Sequence, residues 1–311
     1  MAERYAPSSL QGAPPDALKA RVEAVLGRRW IGWSRPTTGL SPAHRFLAAL
    51  DQGSSVFVKA ATTPQTAAWL RTERQALAVA PSDCTPDVIA WIEDDLPVLI
   101  VESFGDAYWP VRGDAVQWRA GDLERVVAAI ARLAAAPAPE SVPRMSSLPA
   151  TAALRRRSVD NWATLLANLE GFDDLRLCSP RWIAANGAAL AEAEAGLVLD
   201  GDSLVHGDLR SDNICLTDDR VIFVDWAQAA RGAAETDLAI FLPSAHLEGG
   251  PAPFDIMPAG AGWAAQQSGE LALRAIRDKA APTWLVRVFR RLARINLDWA
   301  VASLGLPPRD A

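Results

Sequence analysis

Residues 204–226, with the sequence LVHGDLRSDNICLTDDRVIFVDW, concentrate polar side chains that could bind a cation or accept a proton. His206, Asp208 and Asn213 lie close together in this segment, and Asp225 follows two short apolar runs. Carboxylate and amide oxygens are the ligands that Mg²⁺ takes from proteins, with water and phosphate oxygens completing its shell. A carboxylate beside such an ion can accept the proton of an incoming hydroxyl. The segment therefore predicts a magnesium site with a proton acceptor next to it.

The two apolar runs, ICL and VIFV, are typical of strands, and Asp218-Asp219 between them predicts the turn of an antiparallel hairpin. With that turn, Asn213 lies opposite Val224, and Asp225 is the next residue along the chain. A hairpin thus brings an amide oxygen and a carboxylate together at its open end. The aspartates of the turn are assigned to the turn alone.

Asp208 lies in the loop that leads into the first strand, five residues before Asn213. The spacing D-x-x-x-x-N, followed by a later metal-binding Asp, is the arrangement of the catalytic loop in kinases. A loop rich in Asp, Ser and Asn is by itself more typical of a solvated turn. The addition of His206, the hairpin and Asp225 favours chemistry, with His206 orienting the loop through hydrogen bonds.

The run HGDLRSDN, followed by FVDWAQAARGAAETDLA, resembles the signature of the aminoglycoside phosphotransferase family. Members of this family are small-molecule relatives of the protein kinases. The resemblance is continuous from His206 to Ala239 and agrees in order and spacing. It is specific for the superfamily but not for the substrate, because choline kinases, homoserine kinases and other metabolite kinases resemble the same pattern.

The resemblance implies a role for each matching residue. Asp208 would be the catalytic base, and Asn213 and Asp225 would be the magnesium ligands. Asp237 would be a structural acid that supports the catalytic loop. Arg210 stands where protein kinases have a lysine near the transferred phosphate, which implies a contact between Arg210 and that phosphate.

The resemblance also implies a lysine on a strand and a glutamate on the next helix, and both are present. Lys59 ends the strand-like run SVFVKA and is one of only three lysines in the chain. Glu73 falls on one predicted helical face with Trp69, Leu77 and Ala80, where a carboxylate is costly unless it has a partner. Lys59 is the expected partner, and its implied role is to hold the α and β phosphates of a nucleotide. An ion pair between Glu73 and a surface arginine stays open as the alternative.

Two further segments resemble parts of the family's nucleotide site. TTGLSPAH, between the first two predicted strands, resembles the loop that covers the phosphates, and Ser41 within it could approach them. VLIVESFG resembles the segment that joins the two lobes. There, backbone groups near Glu102 and Ser103 would receive an adenine-like base.

The periodicity of the chain agrees with this reading. Residues 30–103 show five extended segments and one helix, TPQTAAWLRTERQALAVA, which indicates a mostly antiparallel sheet. Beyond this region, long alanine-rich amphipathic helices dominate, with a proline-rich loop near residues 136–149. We therefore predict an α+β fold of the bilobal protein-kinase-like class. Residues 1–103 would form the nucleotide-binding lobe, and residues 104–311 the catalytic and substrate-binding lobe.

Composition excludes several classes of protein. The 311-residue chain is half apolar, so it should fold, and its net charge of −6 argues against a nucleic-acid partner. Three scattered cysteines indicate neither a disulfide framework nor a zinc site. The N-terminus lacks the apolar core of a signal peptide, and no run resembles a membrane span. We expect a cytoplasmic protein, a monomer or homodimer without a membrane partner.

The predicted activity is the Mg²⁺-dependent transfer of the γ-phosphate of ATP or GTP to a hydroxyl group of a small molecule. One candidate acceptor is an antibiotic such as an aminoglycoside. The alternative acceptor is a metabolite of the choline, homoserine or sugar type. The segment SAHLEGGPAPFDIMPAG offers only Glu248 and Asp255 as acids, which weakens the case for a cationic antibiotic. A nucleotide-binding pseudokinase and a metal-dependent hydrolase are the other classes, and the hydrolase would need a richer ligand set.

Overall fold

The computed structural model of the chain describes residues 12–36, 42–112, 115–147 and 158–310. Ser41 lies outside these residues, so the prediction for it stays a prediction. Among the described residues, no helix combines the length and the hydropathy that spanning a bilayer requires.

The described chain divides into two compact units. One comprises residues 12–142 together with Ser203–Ala230, and the other comprises Pro143–Asp202 together with residues 231–310. The predicted lobe boundary after residue 103 stays a prediction. Because the hairpin segment falls in the same unit as the predicted sheet, the candidate residues from Lys59 to Asp225 can be described in one frame.

Five strands in the first unit form one antiparallel sheet in the order β1-β2-β3-β5-β4. Their bounds are β1 Trp30–Ser34, β2 His44–Leu50, β3 Ser55–Ala60, β4 Val88–Ile92 and β5 Val98–Glu102. A turn after Leu50 joins β2 to β3, and Gln52 and Gly53 in it have left-handed φ angles of 68° and 79°. The antiparallel sheet predicted for this region is confirmed.

Alternation along the central strands separates two faces of this sheet. Phe46, Val58 and Ile100 belong to a buried core with Leu18 and Val22 of helix α1, Asp16–Leu26. The odd-numbered residues of the same strands point to the opposite face. The sheet therefore uses one face for its core and leaves the other for the site described below.

The remaining elements connect and surround this sheet or build the second unit. The helices are α2 Pro64–Leu77, α3 Asp122–Ala134, α4 Asn161–Ala167, α5 Pro180–Ala195, α6 Thr236–Leu247, α7 Pro253–Ile256, α8 Ala261–Arg277 and α9 Thr283–Leu304. The short strands are β6 Val111–Arg112, β7 Ala115–Val116, β8 Ser203–Val205, β9 Ile214–Leu216, β10 Val221–Phe223 and β11 Ala230–Gly232. The predicted helices after residue 120 are all present.

The second unit is helical and contains buried hydrogen bonds between its helices. Glu194 of α5 is fully buried, and its carboxylate accepts hydrogen bonds from the backbone N–H groups of Asn161 and Trp162, at 3.0 and 2.7 Å. These donors belong to the first turn of α4, where backbone N–H groups lack partners within the helix. Asp237, the predicted structural acid, lies in the first turn of α6 and is 2 % exposed.

Candidate active site

The predicted hairpin forms in the predicted register. β9 and β10 pair antiparallel, and the Thr217 N–H donates to the Arg220 carbonyl at 3.0 Å across the turn. At the open end, the Val224 N–H donates to the Asn213 carbonyl at 2.9 Å. Asn213 therefore lies opposite Val224, and the hairpin sets Asn213 beside the segment that carries Asp225.

The backbone leaves the second strand at Asp225 in a left-handed conformation, with φ 69° and ψ 61°. This conformation costs a residue other than glycine roughly 1–2 kcal/mol. The Asp225 Oδ1 lies 3.4 Å from the Nζ of Lys59, although the two residues are 166 positions apart. Lys59 and, secondarily, Arg45 hold the pKa of Asp225 below its usual value, so the carboxylate is ionised at neutral pH.

Lys59 and Glu73 form a buried ion pair. The Lys59 Nζ lies 2.7 and 2.9 Å from the two carboxylate oxygens of Glu73, and the side chains are only 9 % and 2 % exposed. Burial raises the pKa of Glu73, and Lys59 and the Trp226 backbone N–H oppose this effect. Burial lowers the pKa of Lys59, but Asp225 and Glu73 more than offset this effect and raise it. The expected partner of Glu73 is therefore the observed one.

Helix α2 presents a different face from the predicted one. It begins as predicted after Thr63, whose hydroxyl accepts from the Thr66 N–H. The helix ends at Leu77, so Ala80 lies beyond it, and Trp69 is only half-buried. Its buried residues are Thr66, Ala67, Leu70, Glu73, Ala76 and Leu77. Glu73 and Leu77 are buried as predicted, whereas Leu70 is buried in place of its neighbour Trp69. Glu73 therefore still lies within the buried face of the helix.

His206 holds the loop that contains Asp208. Its Nε2 donates to the Val224 carbonyl at 2.9 Å, and its Nδ1 accepts from the Asp208 N–H at 3.3 Å. This pair of bonds fits the neutral imidazole with its proton on Nε2. The ring is fully buried and packs against Trp226 at 4.7 Å between centroids. His206 thus orients the loop, as predicted, by tying Asp208 to the strand that precedes Asp225.

Asn213 is tied to the same loop. Its Nδ2 donates to the Asp208 carbonyl at 2.9 Å, so Oδ1 is the side-chain atom with the chemistry of a cation ligand. Arg210 lies on the other side of the loop, with its Nη2 2.9 Å from Asp212 and its Nε 3.8 Å from Asp208 Oδ1. The Asp208 charge and then the Asp212 charge raise the pKa of Arg210 against the effect of burial.

A cavity of about 500 Å³ lies over the odd-numbered face of the sheet. Leu47, Phe57 and Val101, which are neighbours across three strands, form an apolar row in its wall. Lys59 lines the cavity two residues further along β3, which is about 7 Å along a strand. Asp225 and Glu73 line it as well. The cavity is therefore apolar at one end and charged at the other.

The model of the phosphotransferase enzyme family matches residues 116–282, more than half of the chain. The chain belongs to this family. The resemblance that the HGDLRSDN segment carries is therefore confirmed, and the protein is a small-molecule phosphotransferase. A search of curated proteins found no significant match.

Solved structures share the fold of this phosphotransferase. An aminoglycoside phosphotransferase from Alicyclobacillus acidocaldarius is 12% identical, with a TM-score of 0.58 and 97% of both chains covered. Spectinomycin phosphotransferase, in complex with ADP and spectinomycin, is 10% identical, with a TM-score of 0.57 and coverage of 95% of this chain and 100% of that one. A choline/ethanolamine kinase family protein from Mesorhizobium loti is 15% identical, with a TM-score of 0.55 and coverage of 93% and 98%. The predicted α+β protein-kinase-like fold is confirmed.

The predicted base-binding segment of the phosphotransferase, around Glu102 and Ser103, is held in place by hydrogen bonds. Glu102 lines the cavity, and its backbone N–H donates to the Asp87 carbonyl at 2.9 Å. The Ser103 hydroxyl lies 2.6 Å from the Ser55 hydroxyl. Ser103 is not among the described residues that line the cavity, whereas Phe104, which follows it, is.

Arg220 connects this segment to the hairpin. Its Nη1 lies 3.2 and 3.3 Å from the carboxylate oxygens of Glu102, and its Nη2 donates to the carbonyls of Ser82 and Thr85 at 3.1 and 2.6 Å. Arg220 follows the turn of the hairpin that carries Asn213. One guanidinium thus fixes the hairpin against the edge of the cavity.

Replacing Arg220 with alanine is expected to lower stability by about 1–3 kcal/mol, because the partly buried acceptors on Thr85 and Glu102 lose their donor. We also expect weaker nucleotide binding, since the hairpin loses its anchor to Glu102. Thermal unfolding and nucleotide titration measure the two effects. Arg132→Ala is the matched control, because Arg132 forms an exposed ion pair with Asp83. Equal effects of the two substitutions would contradict the role given to Arg220.

Gly207 is required by the geometry of the Asp208 loop. Its φ is +78°, and a Cβ at this position would lie 2.6 Å from the Gln228 carbonyl oxygen. Gly207→Ala is expected to cost about 1–3 kcal/mol in backbone strain, with a further cost for the collision, and to reduce kcat by displacing Asp208. The control is Gly53→Ala, because Gly53 has a φ of +79° but open space around its Cβ position. Urea unfolding and turnover compare the two variants, and G207A should be worse in both.

Sequence reasoning did not identify Arg45, which lines the cavity, or Arg220, which contacts the cavity residue Glu102. A signal for Arg45 was available, because the Asp51-Gln52-Gly53-Ser54 turn between β2 and β3 fixes the register that places Arg45 opposite Lys59. No local pattern signals the contact between Arg220 and Glu102, since it joins residues 118 positions apart.

Proposed function

We propose that this phosphotransferase moves the γ-phosphate of ATP or GTP, in the presence of Mg²⁺, to a hydroxyl group of a small molecule. The observation that carries the proposal is the contact of Lys59 with both Glu73 and Asp225 at the charged end of the cavity. The apolar end suits a purine base, and the charged end suits a phosphate chain. The ADP bound by the spectinomycin phosphotransferase of the same fold supports a nucleotide here.

Lys59 is proposed to bind the α and β phosphates, with Glu73 fixing its ammonium group. A pair of buried hydrogen bonds holds the Lys59 side chain in one orientation, so little freedom is lost when phosphate binds. Backbone groups around Glu102 and Ser103 are proposed to receive the base. Ser41 is proposed to approach the phosphates from the covering loop.

The residues of the hairpin fit a magnesium ion. Asn213 offers Oδ1 because its Nδ2 is already a donor, and Asp225 is an ionised carboxylate. Among the described residues, no group of three or more His, Cys, Asp and Glu side chains could hold a metal. A bound Mg²⁺ would therefore take these two ligands and complete its shell with phosphate and water oxygens. Its contribution would be to neutralise charge on the phosphates.

Asp208 is proposed as the catalytic base. Its carboxylate accepts the proton of the acceptor hydroxyl as the hydroxyl oxygen bonds to the γ-phosphorus and the nucleoside diphosphate leaves. His206 and Asn213 hold the backbone of Asp208 from both sides, so the carboxylate is carried on a fixed loop. Arg210 is proposed to contact the transferred phosphate, and Asp237 to support the loop.

The acceptor is proposed to be either an antibiotic, such as an aminoglycoside, or a metabolite of the choline, homoserine or sugar type. Proteins of the same fold include a spectinomycin phosphotransferase and a choline/ethanolamine kinase family protein, so both classes have precedents. A role in antibiotic resistance belongs to the first alternative only.

Two measurements test the proposal. The temperature of thermal unfolding should rise when ATP or GTP is added together with Mg²⁺. A metal-dependent hydrolase would not be stabilised by the nucleotide. A screen of hydroxylated antibiotics and metabolites should then show Mg²⁺-dependent release of ADP or GDP with one acceptor class. Nucleotide binding without turnover across the whole screen would favour a pseudokinase, and the absence of nucleotide binding would overturn the proposal.

A further inference from the structure

The cluster around Lys59, at the charged end of the cavity, has an excess of negative charge. Lys59 contacts two carboxylates, Glu73 and Asp225. These three side chains carry a net charge of −1, and the ammonium is already engaged by both acids. A second protein cation beside them would, together with the Mg²⁺ proposed above, reduce the repulsion that a polyanionic phosphate chain meets there.

Arg45 supplies that cation. It lies directly opposite Lys59 in the pairing of β2 with β3, and both side chains line the cavity. Arg45 is half-buried, so its guanidinium is partly removed from water. Burial and the neighbouring charge of Arg35 lower the pKa of Arg45 overall, while the charges of Asp225 and Glu73 oppose this effect. An arginine stays protonated in proteins under all such conditions.

The position of Arg45 along the cavity is defined by the sheet. Leu47, two residues further along β2, belongs to the apolar row with Phe57 and Val101. Arg45 therefore lies about 7 Å from that row, on the side of Lys59 rather than on the side proposed for the base. A guanidinium at this place presents a planar set of donors that matches phosphate oxygens.

We propose that Arg45 binds the phosphate chain of the nucleotide together with Lys59 and selects nucleotides that carry several phosphates. This inference rests on the proposed function, because it assumes that the cavity binds a nucleoside triphosphate. Lys59 is fixed by its buried partner Glu73, whereas Arg45 provides the positive charge that brings the group of Lys59, Glu73, Asp225 and Arg45 to a net charge of zero.

The test compares the affinities of ATP, ADP and adenosine for the full-length protein and its variants by isothermal titration calorimetry with Mg²⁺. Arg45→Gln is expected to weaken ATP binding by about 10- to 100-fold and ADP binding by less, since hydrogen bonds to charged groups are worth about 1.5–3 kcal/mol. Adenosine affinity should change less than about twofold, because no phosphate is present. Arg45→Lys should recover part of the ATP affinity and keep the dependence of binding on salt.

Arg71→Gln is the matched control, because Arg71 lies in the same unit and forms an exposed ion pair with Glu93. It should leave all three affinities unchanged. Equal losses of adenosine and ATP affinity in R45Q would indicate a structural role and overturn the inference, as would an unchanged ATP affinity. Failure of the wild-type protein to bind any nucleotide would instead overturn the proposed function, so the two failures are distinguishable.

Discussion

Replacing Asp208 with asparagine is expected to lower kcat by about 10²- to 10⁴-fold, the usual contribution of a general base. Asparagine keeps the shape of the side chain and the backbone bonds to His206 and Asn213, but it cannot accept the proton of the acceptor hydroxyl. The thermal stability and the affinity for ATP should stay close to those of the wild-type protein. Steady-state turnover, thermal unfolding and nucleotide titration measure the three quantities.

Asp218→Asn is the matched control for this prediction. It removes the same charge from the hairpin that follows the Asp208 loop, but Asp218 is an exposed residue of the turn. The D218N variant should turn over like the wild-type protein. Near-normal turnover by D208N, once an acceptor is known, would show that Asp208 is not the base.

Replacing Lys59 with methionine is expected to abolish most activity and to destabilise the protein by about 3–5 kcal/mol at neutral pH. The cause is Glu73, which is 2 % exposed and would lose its ammonium partner. Leu is close to Glu in size, so K59M/E73L should recover much of the lost stability. The double variant should still lack most activity, because it has lost one of the two cations proposed to bind the phosphates.

The stability of the single variant Lys59→Met should also depend on pH. Burial raises the pKa of Glu73, and Lys59, which opposes this effect in the wild-type protein, is absent from the variant. A carboxyl group with a raised pKa in the folded state binds protons more tightly there than in the unfolded chain. Its stabilising contribution is therefore present below the pKa of the unfolded chain and is lost as the pH rises through the folded pKa.

Urea unfolding at pH 5 and pH 8 should thus show a smaller difference between K59M and the wild-type protein at the lower pH. Lys279→Met is the control, because Lys279 is exposed and is not the partner of a buried carboxylate among the described residues. A K59M variant as stable as K279M at pH 8 would contradict the view that Glu73 depends on Lys59.

The two predictions address two different parts of one site. Asp208 is proposed to act on the acceptor side of the reaction, and its backbone is held by hydrogen bonds, so its replacement should affect chemistry more than folding. Lys59 lies inside an ion-paired network that also contains Asp225, so its replacement should affect folding, binding and turnover together. A large loss of activity with little loss of stability is therefore expected for the Asp208 variant, and a loss of both is expected for the Lys59 variant.

The sequence by itself determined the reaction class and the local geometry around Asp208. The register of the β9–β10 hairpin follows from strand periodicity and a two-residue turn, which are local properties of the chain. The start of α2 after Thr63 follows from its hydroxyl and the next proline. The pairing of Glu73 with Lys59 followed from the cost of burying a carboxylate, although the helical stripe around Glu73 was predicted about one residue out of place.

Only the tertiary structure decided which distant residues complete the cavity. The Asp225 carboxylate meets Lys59 across 166 residues, and Arg220 meets Glu102 across 118. Arg45 joins this set because the alternation of β2 turns it toward the cavity rather than toward the core under α1. Local propensities cannot supply such contacts, since they depend on how whole elements pack against each other. The sequence therefore defines the chemistry of the hairpin, and the packing of the sheet, α2 and the hairpin defines the charges that line the cavity.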